Sequence, residues 1–151
     1  MMHYIALRTT AQATEDPVKV RSALDLFILS PDEEKDSSDI VHETVAEGYH
    51  GNPIIVMEAE VKKKKDCQYI IDYIRHNLGA AGIERLINEL PQRIDDNCNL
   101  FIRFDKQEAY QGRLVITSSS DAVHLRMKIE AYPARREAGI EAAREMFEKE
   151  D

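Results

Sequence analysis

The stretch VHLRMKIEA, residues 123–131, constrains the fold more than any other part of the sequence. Apolar side chains occupy every second position, at Val123, Leu125, Met127 and Ile129, and mainly charged side chains occupy the positions between them. A period of two residues is that of a β-strand with one buried and one exposed face. The pattern therefore predicts a sheet with one wet face, which is typical of antiparallel sheets.

Alternation and helical spacing predict the remaining elements. Asp16 and Pro17 have the residue types of an N-cap and a first helical residue, Asp66 is a second candidate N-cap, and Pro91 is expected to end a third helix. Strands are expected over 3–10, 40–47, 54–61, 100–105, 113–117 and 123–131, with helices between them and a last helix after Pro133.

The resulting order is β-α-β-β-α-α-β-β-β-α. Strands come in runs rather than in strict alternation with helices, which favours an α+β fold. We expect a single mixed, mostly antiparallel sheet with helices packed on one face.

Length and composition indicate one soluble globular domain spanning residues 1–151. Hydrophobic residues make up 43% of the chain and charged residues 32%. The acidic stretch SPDEEKDSSD, residues 30–39, is expected to be a mobile loop. The sequence has no apolar run near the ~20 residues of a bilayer span and no signal-peptide pattern, so we expect a cytoplasmic protein with no membrane partner.

The formal net charge of −8 should repel nucleic acid at long range, so any binding of a polyanion needs a local basic patch. Lys62–Lys65 form one candidate patch, between a strand end and a helix start, where backbone N–H groups attract phosphate. The alternative is a solvated cluster that protects a strand edge from aggregation.

A second candidate patch lies on the predicted sheet. Arg126 and Lys128 share the outward face of one strand, and Arg103 has the same orientation on another. These cations could follow a phosphate backbone or pair with carboxylates across the sheet. In the connection FDKQEAYQG, Lys106 and Tyr110 are expected on a rim that faces the ligand.

The acidic residues offer little support for catalysis. Asp95 with Asp96, and Asp105 with Glu108, are the carboxylate pairs that could serve a metal-dependent nuclease. Adjacent aspartates in PQRIDDNCN are more typical of a turn. The sequence contains no P-loop, dinucleotide fingerprint, nucleophile elbow or histidine ligand spacing. We therefore predict no catalytic residue, no metal ligand and no cofactor.

Four stretches resemble one known family. They are TEDPVKVRSAL (14–24), GYHGNPIIVMEAEV (48–61), LFIRFDKQEAYQGRL (100–114) and VHLRMKIEAYP (123–133). The family comprises small archaeal proteins described as predicted RNA-binding proteins, with a domain like that of double-stranded-RNA-binding proteins and a proposed association with the exosome. The resemblance implies an archaeal source, RNA as partner, no known cofactor, no catalytic residues and a fold close to that of the ribosomal protein that binds 5S RNA.

The leading hypothesis is therefore a non-catalytic RNA-binding module, an accessory of archaeal RNA processing or degradation machinery. It would recognise the shape of structured or double-stranded RNA with low specificity. The alternatives are a protein-interaction subunit or homodimer without direct nucleic-acid binding and, less favoured, a metal-dependent nuclease. The residues predicted to contact phosphates are Lys62, Lys63, Lys64, Lys65, Arg103, Lys106, Arg126 and Lys128.

Overall fold

The computed structural model describes residues 2–28, 40–48 and 51–149, so the acidic loop expected at 30–39 lies outside the described residues. Strands and helices follow the order β-α-β-β-α-α-β-α-β-α. Their bounds are β1 (Met2–Ala11), α1 (Pro17–Ile28), β2 (Val41–Glu47), β3 (Pro53–Val61), α2 (Lys64–Asn77), α3 (Gly79–Arg93), β4 (Asn99–Asp105), α4 (Lys106–Tyr110), β5 (Ala122–Ile129) and α5 (Arg136–Glu148).

The strands form one sheet in the order β2-β3-β1-β5-β4, and every pairing is antiparallel. β1 is central: Ile5 pairs with Val61 of β3 on one side and with Met127 of β5 on the other. The prediction of an α+β fold with a mostly antiparallel sheet is therefore confirmed. The expected likeness to the ribosomal protein that binds 5S RNA stays a prediction.

The helices pack on one face of the sheet and enclose the core with it. α1 and α2 contact β1, α3 contacts β4, and α5 contacts β5. Phe27 of α1 and Phe104 of β4 are fully buried, with ring centroids 5.1 Å apart. Burying a side chain of this size contributes about 1.5–3 kcal/mol, so the covered face holds the sheet and the helices together. None of the helices in the described part of the chain combines the length and apolar character needed to cross a membrane.

Two helix starts test the expected caps. Asp16 caps α1 as predicted, because its Oδ1 accepts the N–H of Val18 at 3.0 Å. The prediction for Asp66 is wrong: α2 begins two residues earlier, at Lys64, and the N-cap residue is Lys63. The helix therefore starts inside the lysine run.

The end of α3 also differs from the prediction. The helix runs past Pro91 to Arg93, so the proline lies within its last turn. Arg136 of α5 supplies the reason: its guanidinium donates to the carbonyl oxygens of Pro91 and Ile94, which the end of a helix leaves without partners.

The strand expected at 113–117 is absent from the described structure. Asp105 accepts the N–H of Glu108 at 2.9 Å and starts the short helix α4, and the chain then returns along the edge of β4. It makes one isolated bridge, between Ile116 and Phe104, with backbone bonds from Asp105 to Val115 and from Thr117 to Arg103. The alternating residues of this segment thus cover an edge without forming a regular strand.

Lys106 joins three parts of the fold. Its side chain is 2% exposed, and its Nζ donates to Thr10 O at 2.8 Å, Glu15 Oε1 at 2.8 Å and Asp121 Oδ1 at 2.6 Å. These partners lie at the end of β1, just before α1 and just before β5. A buried ammonium is stable only when it is paired and hydrogen-bonded, as it is here.

We predict that Lys106→Met lowers the free energy of unfolding by about 2–3 kcal/mol, because methionine fills the space but leaves Thr10 and Glu15 without their donor. Urea unfolding measures the change. The exposed Lys62→Met is the control and should shift stability by no more than about 0.5 kcal/mol. Equal stabilities for the two variants would contradict the structural role of Lys106.

Candidate nucleic-acid interface

The face of the sheet that the helices leave uncovered is the candidate interface, and we call it the open face. A hollow of about 880 Å³ lies on this face. Its side chains alternate with the buried positions of each strand. They include His42, Thr44 and Ala46 of β2; Ile54, Val56, Glu58 and Glu60 of β3; Tyr4, Ala6, Arg8 and Thr10 of β1; His124, Arg126 and Lys128 of β5; and Asn99, Phe101 and Arg103 of β4.

Strand register lines up charged residues in a row across this face. Arg8 lies between Glu58 and His124, and His124 lies opposite Arg103. Arg8 Nε is 3.5 Å from Glu58 Oε1, and both side chains are about 60% exposed. Exposed pairs of this kind contribute about 0–1 kcal/mol, so the pair can open when a ligand offers Arg8 a phosphate.

A second row contains Ala6, Arg126 and Phe101 on adjacent strands. The Arg126 guanidinium carbon lies 5.7 Å from the centre of the Tyr4 ring, within the range of a cation–π interaction. Ala6 is the smallest residue of the row and leaves space above the middle of the sheet. Phe101 is 45% exposed, although it is a large apolar residue.

The remaining cations of the face are positioned by backbone carbonyls. Arg103 Nη1 donates to Ser118 O at 3.1 Å, and Lys128 Nζ donates to Asn97 O. A guanidinium has five N–H donors and an ammonium three, so both residues keep donors for a ligand. We call Arg8, Arg103, Arg126 and Lys128 the basic area; they belong to the three adjacent strands β1, β5 and β4.

The lysine run, Lys62–Lys65, lies at one end of the sheet, because Val61 at the end of β3 pairs with Ile5 near the start of β1. All four side chains are exposed, and no side chain caps the helix that begins at Lys64. The first turn of α2 therefore combines backbone N–H groups with ammonium groups, an arrangement that attracts anions.

The structure thus brings Arg103, Arg126 and Lys128 together and sets the lysine run at the end of the same sheet. Lys106 is buried elsewhere, so we leave it out of the interface, which corrects its expected position on a ligand-facing rim. Its local sequence could not reveal this, since its partner Glu15 is 91 residues away along the chain. Tyr110 is exposed but lies beside α1, with Lys19 Nζ 5.3 Å from its ring centre.

Sequence reasoning missed Tyr4, Arg8 and Phe101. The signal was present for Phe101, because it stands between Leu100 and Ile102 at the outward position of an alternating strand. An aromatic residue that faces outward beside outward-facing cations is a candidate for stacking with a base.

Three of the four acidic residues considered for a nuclease have structural roles, and the fourth, Asp96, is exposed. Asp95 Oδ1 accepts the N–H groups of Asn97 and Asn99, both at 2.9 Å, and so forms the predicted turn. Asp105 caps α4, and Glu108 pairs with Arg113 at 2.6 Å. Among residues 2–28, 40–48 and 51–149, no three His, Cys, Asp or Glu side chains gather where one metal ion could bind.

Comparisons with known proteins identify relatives along nearly the whole chain. A family model described as RNA binding matches residues 4–129. RNA-binding protein PAB1135 of Pyrococcus abyssi is 38% identical over 149 residues, which are 99% of this chain and 96% of that protein. The uncharacterised protein MJ0213 of Methanocaldococcus jannaschii is 36% identical over 127 residues, 82% of this chain and 81% of that protein.

A solved structure agrees with the fold. Mth689, a DUF54 protein from Methanothermobacter thermautotrophicus, superposes with a TM-score of 0.78 at 34% sequence identity. The match covers 97% of this chain and 98% of Mth689. The relatives named here are all archaeal, in line with the source that the resemblance implies.

The turn at Asp95 gives a prediction about pH. Burial favours a higher pKa for the Asp95 carboxyl, but hydrogen bonds from Asn99 and Asn97 and the charge of Lys128 outweigh burial and lower the pKa. A lowered pKa stabilises the fold above the ordinary aspartate range, and this stabilisation is lost as the pH falls through the lowered value. We expect Asp95→Asn to be less stable than the parent at neutral pH and the difference to shrink on acidification.

Urea unfolding at a series of pH values measures this difference. Asp96→Asn, an exposed neighbour, controls for loss of one charge. A stability difference for Asp95→Asn that grows as the pH falls would contradict the assignment.

Proposed function

The chain belongs to the RNA-binding family, and from this premise we propose that its open face and lysine run bind RNA without catalysing a reaction on it. The observation that carries the proposal is the basic area, where cations from three adjacent strands meet on a face without helices. Phosphate contacts from arginine and lysine supply most of the affinity of such proteins.

The net charge of −8 is compatible with this proposal. A ligand at the open face experiences mainly the charges within about 10 Å, because salt screens more distant ones. The cations of this face on the β5–β4 side are Arg103, Arg126 and Lys128. The overall negative charge slows the approach of RNA at low salt, and the phosphate contacts of the basic area make the affinity fall as the salt concentration rises.

The lysine run supports the proposal as a second contact region. It begins at the end of the sheet where Tyr4 pairs with Lys128. From Lys62 to the middle of β4 the separation is roughly 16 Å, taken from strand spacing and rise. An RNA with a few nucleotides between two phosphate contacts could reach both regions.

Contacts to phosphates read the shape of an RNA more than its sequence, so we propose low sequence specificity. The sequence analysis of the protein predicts structured or double-stranded RNA as its partner. The binding experiments therefore use both a duplex and a single strand. A role as a cytoplasmic accessory of RNA processing or degradation machinery, with a protein partner or a second copy of the chain, completes the proposal. The relative's name, RNA-binding protein, supports its RNA-binding part.

The first prediction about RNA binding concerns the open face. Changing Arg103, Arg126 and Lys128 together to glutamine should weaken RNA binding by about tenfold or more and reduce the slope of log affinity against log salt by about two to three. Fluorescence anisotropy with labelled duplex and single-stranded RNA at several salt concentrations measures both quantities.

A matched control removes the same charge elsewhere. Lys19, Arg85 and Arg113 lie away from the open face, on α1, on α3 and after α4, and are changed together to glutamine. This variant should keep the parent's salt slope. Equal losses in the two triple variants would mean that overall charge, and not the open face, governs binding.

The second prediction concerns the lysine run. Changing Lys62, Lys63, Lys64 and Lys65 to glutamate should abolish measurable binding at moderate salt, because four cations that attract phosphate become four carboxylates that repel it. Each lost phosphate contact should also lower the salt slope by roughly 0.7–0.9. An unchanged affinity in the same titration would show that these lysines are a solvated cluster. If the parent binds no RNA at low salt, the protein-interaction hypothesis replaces the proposal.

A further inference from the structure

Phe101 is an exposed aromatic residue at one side of the basic area, on the edge strand β4. It is 45% exposed on β4, while its neighbours Leu100 and Ile102 are at most 1% exposed on the covered face. The residue directly opposite it on β5 is Arg126. The guanidinium of Arg126 in turn contacts the ring of Tyr4 on β1, the strand on the other side of β5. Three adjacent strands therefore present a ring, a guanidinium and a ring across the open face.

Such an arrangement fits an unpaired nucleotide. A base has two flat apolar faces and stacks on aromatic rings or guanidinium planes, while its phosphate needs a cation close by. Phe101 offers the ring, and Arg126 and Arg103 lie on the same face, opposite it and two residues along its strand. Phe101 adds no charge to the basic area, but its exposed ring supplies a flat apolar surface on which a base can stack.

The distribution of charge on the open face favours the binding of single-stranded RNA over duplex RNA. The basic area spans β1, β5 and β4, a width of about 10 Å from strand spacing. Glu58 and Glu60 of β3 lie beyond it and line the hollow. A duplex lying across the sheet would bring its second phosphate backbone onto the carboxylates of β3, whereas a single strand can follow β5 and β4.

We propose that the open face binds single-stranded RNA, with one unpaired base stacked on Phe101 and neighbouring phosphates held by Arg103, Arg126 and Lys128. This inference rests on the RNA-binding function proposed above. It replaces the double-stranded target favoured above with RNA that contains an unpaired segment. The lysine run is then free to hold phosphates that enter or leave this segment.

The test compares variants of one exposed ring. Phe101→Ala removes the ring, Phe101→Leu keeps an apolar side chain, and Phe101→Trp keeps a stacking surface. Tyr110→Ala is the matched control, because Tyr110 is also about two-fifths exposed but lies beside α1. The probes are a labelled RNA strand of about ten nucleotides and its duplex, titrated by anisotropy at about 50 and about 200 mM salt.

We expect the parent to bind the single strand more tightly than the duplex. Phe101→Ala and Phe101→Leu should weaken binding of the single strand by about tenfold and leave its salt slope unchanged, since no phosphate contact is lost. Phe101→Trp, which keeps a stacking surface, should bind the single strand at least several-fold more tightly than Phe101→Ala. Tyr110→Ala should bind like the parent. Thermal melting checks that every variant is folded.

Each other outcome overturns the inference. If Phe101→Ala binds like the parent while the triple glutamine variant does not, the RNA-binding proposal stands and base stacking is wrong. If Phe101→Leu binds like the parent, the ring is not used for stacking. A preference for the duplex rejects a single-strand site, and no binding of either probe at low salt rejects this inference together with the proposed function.

Discussion

One-sided burial of the sheet is the constraint on which the rest of the structure depends. Along β1, Ile5 and Leu7 are buried under the helices, whereas Arg8 is exposed on the other side. Because side chains alternate strictly along a strand, covering one face commits every second residue to the core and leaves the others outside. The open face, with its charges in rows across the strands, is a direct consequence.

The distribution of charge on that face matters more than the net charge. Glutamates on β3 and cations on β1, β5 and β4 divide the face into an acidic and a basic part. A uniformly basic sheet would accept any polyanion, whereas this division limits where a phosphate backbone can lie. Lys106 contributes only indirectly, because its ion pairs with Glu15 and Asp121 fix the segments that lead into α1 and β5.

Local sequence patterns predicted the elements that local interactions determine. The alternation at 123–131 gave β5 with its buried and exposed residues, and the cap at Asp16 gave the start of α1. The prediction of a strand at 113–117 was wrong, because that segment follows α4 and only borders β4, with one isolated bridge. The prediction that α3 ends at Pro91 was wrong. The helix continues to Arg93, and Arg136, 45 residues away, binds the carbonyl of Pro91.

The residues of the candidate site also differ in how far local sequence predicts them. Arg126, Lys128 and Arg103 could be assigned to one face from their spacing alone, but their adjacency to Tyr4 and Arg8 depends on the order of strands in the sheet. The burial of Lys106 depends on distant partners and has no local signature. Sequence therefore indicates which residues face outward, and the sheet order determines which of them act together.

The most direct test of the account is photochemical crosslinking of single-stranded RNA that carries thiouridine, followed by mass spectrometry of the crosslinked peptides. Binding on the open face predicts crosslinks in β4, β5 and β1, with Phe101 and Tyr4 as the main sites. Crosslinks confined to the helices α1, α3 and α5 would contradict it, because those helices lie on the opposite side of the sheet.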